Sequence, residues 1–188
     1  RNTEEGWKLQ TAQEKNWETE RRGHLEPKPR ERNDINRAGL KDIFAEPTLR
    51  TYRYKDCRTF RIGLTVEGSQ LEDGDLPINV HVADDNDDLP GRISTIRYES
   101  RQSAHENDVY WVYALNPEID DLVAQLHASR KMVEKYDQLR AQNKITPDEA
   151  TCLQDEKNAV LGYQKRLNSK MVDALEQGTA MFRGVSWD

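Results

Sequence analysis

Residues 116–178 read NPEIDDLVAQLHASRKMVEKYDQLRAQNKITPDEATCLQDEKNAVLGYQKRLNSKMVDALEQG, and the reading of this stretch decides the fold. It opens on Asn116 and Pro117, an N-cap residue followed by a proline in the first turn, where the missing amide donor costs nothing. Glu118, Asp120 and Asp121 then stand where the helix dipole favours negative charge. Ile119, Leu122, Val123, Leu126, Val133, Tyr136 and Leu139 recur at helical spacings and form one apolar stripe. NKI at 143–145 interrupts the pattern. TPDE at 146–149 restarts it with the spacing of a capping box, in which the Thr146 hydroxyl and the Glu149 carboxylate satisfy each other's amides. The second stripe carries Ala150, Leu153, Val160, Leu161, Leu167, Met171, Ala174 and Leu175, and Gly178 can supply a left-handed cap. Ser129, Lys157 and Gln164 are polar breaks in these stripes. The spacing predicts two long helices paired antiparallel, with arms of roughly 40 Å at about 1.5 Å per residue.

Upstream the patterning is shorter and mixed. TAQE at 11–14 has a second capping-box spacing and predicts a helix to about Arg22 that carries Trp17, with Trp7 ahead of the cap. Pro27 and Pro29 predict an extended connector, and Asn33 or Asp34 can cap a further helix through about Phe44. From Leu49 the period changes to two: Tyr52 and Tyr54, then Phe60, Ile62, Leu64 and Val66, alternate with polar residues as expected of strands with one buried face. The residues from Lys55 to Arg58 suit a hairpin loop. Ile78, Val80 and Val82 mark another strand, residues 93–98 and 109–115 complete a set of about four or five, and 181–187 predicts a short edge strand. The expectation is an α+β fold: N-terminal short helices, a small mostly antiparallel sheet, then a long antiparallel helical hairpin. Its expected divisions are 1–48, 49–115, 116–178 and 179–188.

Composition narrows the class. The chain has 188 residues, 35% hydrophobic and 33% charged, which is polar for one globule and suits long helices with outer faces meeting water or another chain. No apolar run approaches the roughly 20 residues that span a bilayer, so no membrane partner is expected. The chain begins at Arg1 and reads as part of a longer protein. Cys57 and Cys152 have no CxxC or histidine-paired spacing, so a reduced, cytoplasmic setting is expected. Net charge is −6, spread as +3 over residues 1–60, −7 over 61–110 and −2 over 111–188. A basic footprint over the whole chain is absent, and only the first third has a basic balance.

The recognisable chemistries are mostly excluded. Asp84, Asn86 and Asp88 have the opening spacing of a calcium loop, but Leu89 stands where the loop needs glycine and Thr95 where it needs a bidentate glutamate. His24, His81, His105 and His127 are too dispersed for a zinc-ligand set. There is no GxxxxGK[ST], GxGxxG or GxSxG stretch. No catalytic, cofactor or metal residue is therefore expected. Arg97 and Arg101 near Tyr110 and Trp111, and Arg21 with Arg22 in the basic third, are the candidate contacts for a partner or a nucleic acid.

GWKLQT at 6–11 with residues 14–22, YRYK at 52–55, FRIGLT at 60–65, RYES at 97–100, YW at 110–111, RKMV at 130–133 with Tyr136, and FRG at 182–184 together resemble, in order and layout, a segment of the large P-loop ATPases of BREX (bacteriophage exclusion) and phage growth limitation systems. The resemblance implies phage defence, a cytoplasmic bacterial complex that includes a DNA methyltransferase and other defence proteins, and use of ATP and magnesium by the full-length relative. The family's nucleotide motifs are not in this sequence, so no ATP-binding residue is carried over. On this reading the chain is a non-catalytic structural and interaction region that mediates assembly or coupling, with self-association or DNA contact open. The competing reading is a nucleic-acid-binding module that uses the basic N-terminal third and residues 97–111. A third is a small enzyme with a diffuse site.

Overall fold

The computed structural model describes the backbone at residues 2–3 and 6–7 and the chain from 12 to 187. Thr11 and the Trp7 side chain, and with them the first capping box, lie outside the described residues. The elements are β1 (Asn2–Thr3), β2 (Gly6–Trp7), α1 (Ala12–Arg22), α2 (Pro29–Phe44), α3 (Pro47–Arg50), β3 (Thr51–Tyr54), β4 (Arg58–Val66), β5 (Ser69–Glu72), β6 (Leu76–Ala83), α4 (Leu89–Glu99), β7 (Val109–Ala114), α5 (Pro117–Ala141), α6 (Pro147–Glu176), β8 (Thr179–Phe182) and β9 (Val185–Trp187). The class is α+β. Two compact units divide the chain, one from Arg1–Asn33 with Leu122–Lys165 and one from Asp34–Asp121 with Arg166–Asp188. They cut across the four consecutive segments expected from the sequence, because α2, α5 and α6 each contribute to both.

In the first unit, α1 meets parts of α5 and α6 around Trp17, Met132, Tyr136 and Leu153, with Val133, Leu139, Ile145 and Cys152 packed against them. The Trp17 and Tyr136 rings lie 4.2 Å apart, a contact that adds roughly 0.5–1.5 kcal/mol to simple burial. The polar breaks in the two stripes are all occupied. Arg21 donates to the Ser129 hydroxyl at 3.1 Å, Lys157 pairs with Asp137 at 2.7 Å and Arg130 donates to Gln164 at 2.6 Å. The second capping box is formed, with the Thr146 amide donating to Glu149 at 2.8 Å and the Glu149 amide to Thr146 Oγ1 at 3.2 Å.

The second unit holds a seven-stranded sheet in the order β3-β4-β6-β7-β8-β9, with β5 also paired to β4. β4, β6 and β7 are mutually parallel, while β3, β5, β8 and β9 join antiparallel. Ile96 of α4 packs with Tyr110, Val112 and Met181. Between β5 and β6 the chain crosses β4 so closely that a Cβ at Gly74 would overlap the backbone from Arg61 to Gly63, and only glycine fits there.

Three expectations are corrected. The sheet is mixed, not mostly antiparallel. Residues 93–98 are no strand but part of α4, which starts with Pro90 in its first turn and supplies the crossover that parallel β6 and β7 require. The helical part is not one long hairpin standing as its own element: there are six α-helices among the described residues, and α5 and α6 are shared between the two units. Smaller differences follow. Leu161 of the second stripe is 71% exposed, α2 begins already at Pro29 in place of an extended connector, and residues 179–187 form two strands turned at Arg183 and Gly184, both with positive φ.

Candidate functional site

β3 and the first four residues of β4 form a two-stranded ribbon, paired Thr51 to Arg61, Tyr52 to Phe60, Arg53 to Thr59 and Tyr54 to Arg58. β6 pairs with β4 only from Ile62 onward, so the ribbon runs on past the body of the sheet. Its turn places Lys55 at φ 43° and Asp56 at φ 56°, and the Cys57 amide donates to the Tyr54 carbonyl at 3.0 Å. Two successive positive φ values are those of a type I′ turn, whose twist matches that of the strands. Alternation puts Tyr52, Tyr54, Phe60 and Arg58 on one face and Thr51, Arg53, Thr59 and Arg61 on the other.

The first of these faces was expected to be buried. Instead, every residue from 45 to 59 is exposed, with Tyr52 at 51% and Tyr54 at 44%. The apolar stripe Val66, Leu64 and Ile62 of β4 continues outward through Phe60 into water. The Arg58 guanidinium lies 4.5 Å from the Phe60 ring centroid and the Lys55 ammonium 5.2 Å from that of Tyr54. At the root of the ribbon a cleft of about 360 Å³ is lined by Phe44, Ile62 and Leu64 with the charged Arg50, Arg61, Glu72 and Asp73. The signal that was present in the sequence is Arg58: hairpin pairing through the Lys55–Asp56 turn puts it on the aromatic face, where a buried face would carry an apolar residue.

The five contact residues expected from the sequence have the following surroundings. Arg21 donates to Glu156 at 2.9 Å and to Gln125 Oε1 at 2.8 Å, with its guanidinium 5.7 Å from the Tyr163 ring. Arg22 is exposed and pairs with Glu18 at 2.8 Å. Arg97 donates to the Ser186 hydroxyl at 3.3 Å. Arg101 lies across Gly184, where φ is +78° and no side chain has room. Trp111 donates its indole N–H to the Leu175 carbonyl at 2.9 Å, satisfying the end of α6. Arg97 and Arg101 thus brace the β8–β9 turn, together with Ser100, whose hydroxyl accepts from the Gly184 amide at 2.9 Å. Arg21 and Arg22 belong to one compact unit and Arg97, Arg101 and Trp111 to the other.

A second polar cluster sits where the parallel strands end. Glu67 accepts from the Val82 amide at 2.6 Å and from Arg92, with His81 Nδ1 at 3.7 Å. Burial works to raise its carboxyl, but His81, the Val82 amide and Arg92 outweigh this and hold it down to about 2. Tyr113, whose hydroxyl is buried without a hydrogen-bond partner, is pushed up by burial and by the Glu67 charge. At the loop before α4, Asp85 accepts from the amides of Asp87 and Asp88 at 2.9 and 2.8 Å, so the acidic run makes a turn into the helix. Among the described residues no group of three or more His, Cys, Asp or Glu is placed to hold a metal ion, and no helix is long and apolar enough to cross a membrane.

Comparison with family models, curated proteins and solved structures finds no match to this chain.

Proposed function

We propose that this chain is a non-catalytic interaction region of a large cytoplasmic phage-defence ATPase of the BREX type, and that it contributes assembly or coupling contacts. The sequence resemblance supplies the setting, with ATP and magnesium used elsewhere in the full-length protein and a DNA methyltransferase among its partners. One observation carries the interaction reading: the β3–β4 ribbon, whose aromatic face and outer edge are open to water. Exposed large apolar side chains and unpaired strand edges are costly features that proteins ordinarily cover or blunt, and here the edge strand β3 exposes Tyr52 and Tyr54, with Leu49 exposed in the α3 helix just before it. The other edge strand, β9, exposes Val185 and Trp187 and is available for self-association. Of the competing residue set, Arg21, Arg22, Arg97, Arg101 and Trp111, Arg21, Arg97 and Trp111 are engaged within the fold while Arg22 and Arg101 are exposed without a flanking aromatic face among the described residues, so we take the ribbon as the better contact surface.

Co-purification tests this reading. The tagged region, co-expressed with the proteins encoded beside it, is expected to retain a stoichiometric partner that Tyr52→Glu with Tyr54→Glu releases. Loss of neither partner nor yield in that double variant would remove the ribbon from the interface.

A further inference from the structure

We propose that the ribbon face carrying Tyr52, Tyr54, Phe60 and Arg58 binds single-stranded DNA. This rests on the ribbon being a contact surface and not on the proposed phage-defence setting.

Charge is the first argument. Residues 49–61 carry Arg50, Arg53, Lys55, Arg58 and Arg61 against Asp56 alone, a balance of +4 in a chain of net −6. The nearby carboxylates are taken up by the opposite side: Asp56 pairs with Arg53 at 3.2 Å and Asp75 with Arg61 at 3.8 Å. Lys55 and Arg58 lie over aromatic rings and, among the described residues, pair with no carboxylate, so their charges are available to phosphate. A protein strand that adds to the β3 edge would be held by main-chain hydrogen bonds and side-chain pockets, and would not by itself use the charges of Lys55 and Arg58.

The rings are the second argument. Tyr52 and Tyr54 stand about 6.6 Å apart along the strand at roughly 3.3 Å per residue, which leaves room for a base to enter between them. Aromatic stacking on bases tolerates any sequence and needs an exposed base face, which a single strand offers and an intact duplex does not. The Thr51 and Thr59 hydroxyls lie on the other face, and the nitrogen donors of the stacking side, Lys55 and Arg58, are placed for phosphate, so nothing on this face calls for a 2′-hydroxyl. The face is therefore suited to deoxyribose, with bases over the tyrosines and phosphates beside Lys55 and Arg58.

The probe is a fluorescein-labelled oligothymidylate of about a dozen nucleotides, titrated with the protein and followed by anisotropy. Binding is expected to weaken roughly twentyfold between about 50 and 200 mM salt, as for some three phosphates neutralised on a single strand. Tyr52→Ala and Tyr54→Ala should each weaken it by about fivefold or more, as expected for lost stacking. Arg58→Ala should flatten the salt dependence, and Thr59→Ala on the opposite face should change affinity less than about twofold. All four positions are exposed, so the melting temperature should stay at the parent's value and report that each variant is folded. No binding at about 50 mM salt, binding indifferent to both tyrosines, or tighter binding of a duplex or an oligouridylate of the same length would overturn the assignment. If DNA binding fails while partner co-purification still depends on Tyr52 and Tyr54, the ribbon is a protein-binding edge and the broader reading stands without this one.

Discussion

Glu156 shows what a single residue does in the first unit. Its side chain is buried and accepts from the Trp17 indole and from Arg21, both at 2.9 Å. Burial opposes its ionised form, but hydrogen bonds from Ser129, Trp17 and Arg21 and the Arg21 charge hold its carboxyl below the usual range. Removing Glu156 leaves the Trp17 indole N–H and the partly buried Arg21 charge without their carboxylate, where breaking a fully buried pair typically costs about 3–5 kcal/mol and the acceptors Gln125 and Ser129 soften the loss. Glu156→Ala should therefore lower the urea midpoint strongly, and Arg22→Ala, at an exposed pair, should change the unfolding free energy by less than about 1 kcal/mol in the same titration. Glu67 gives a second test in the other unit. Its carboxyl sits at about 2 in the fold against an ordinary 4.5, so between those values the unfolded chain binds more protons. Its contribution is complete above about pH 4.5 and is lost as pH falls through 2. Stability measured from pH 5 down to 2 should fall less steeply in Glu67→Gln than in the parent. Arg21 was legible as a cation in a basic region, but its acceptor lies 135 residues away, and no local pattern in the sequence announces such a pairing.

At the scale of elements, local rules held where the chain's own neighbours decide the outcome. The TPDE cap forms as its spacing requires, Asn116 Oδ1 accepts from the Ile119 amide at 2.9 Å at the start of α5, and the Lys55–Asp56 turn closes its ribbon. They failed where tertiary context decides. Residues 93–98 carry two isoleucines, a threonine and a tyrosine, a composition that suits a strand, yet parallel β6 and β7 leave that segment no role except the crossover. The tyrosines of β3 alternate as a buried face would, yet both are exposed, because alternation records which residues share a face and not whether that face has a partner. The apolar stripes of α5 and α6 give a direct comparison. Leu126 and Leu167 are fully buried, while Gln138 and Lys165 are exposed. Leu126→Ala and Leu167→Ala should each cost about 2–5 kcal/mol, and Gln138→Ala and Lys165→Ala less than about 0.5. Thermal melts of the four variants, read by circular dichroism, check this.

Across the whole molecule, the α+β class was readable from the order of patterns, but the division into units was not. α5 and α6 look like one hairpin because each is a continuous periodic stretch, and periodicity does not record that the first turns of α5 and the last turns of α6 belong with the sheet. The interaction surface was also half legible: the aromatics and cations of residues 49–61 were visible, and their exposure was not. If this ribbon is where the chain meets its partners, co-purification of the tagged region with the proteins encoded beside it will show it, comparing the parent with Tyr52→Glu and Tyr54→Glu combined. A stoichiometric partner is expected with the parent and lost in the double variant, which keeps the parent's melting temperature. A variant that folds like the parent and retains its full complement of partners would contradict this expectation.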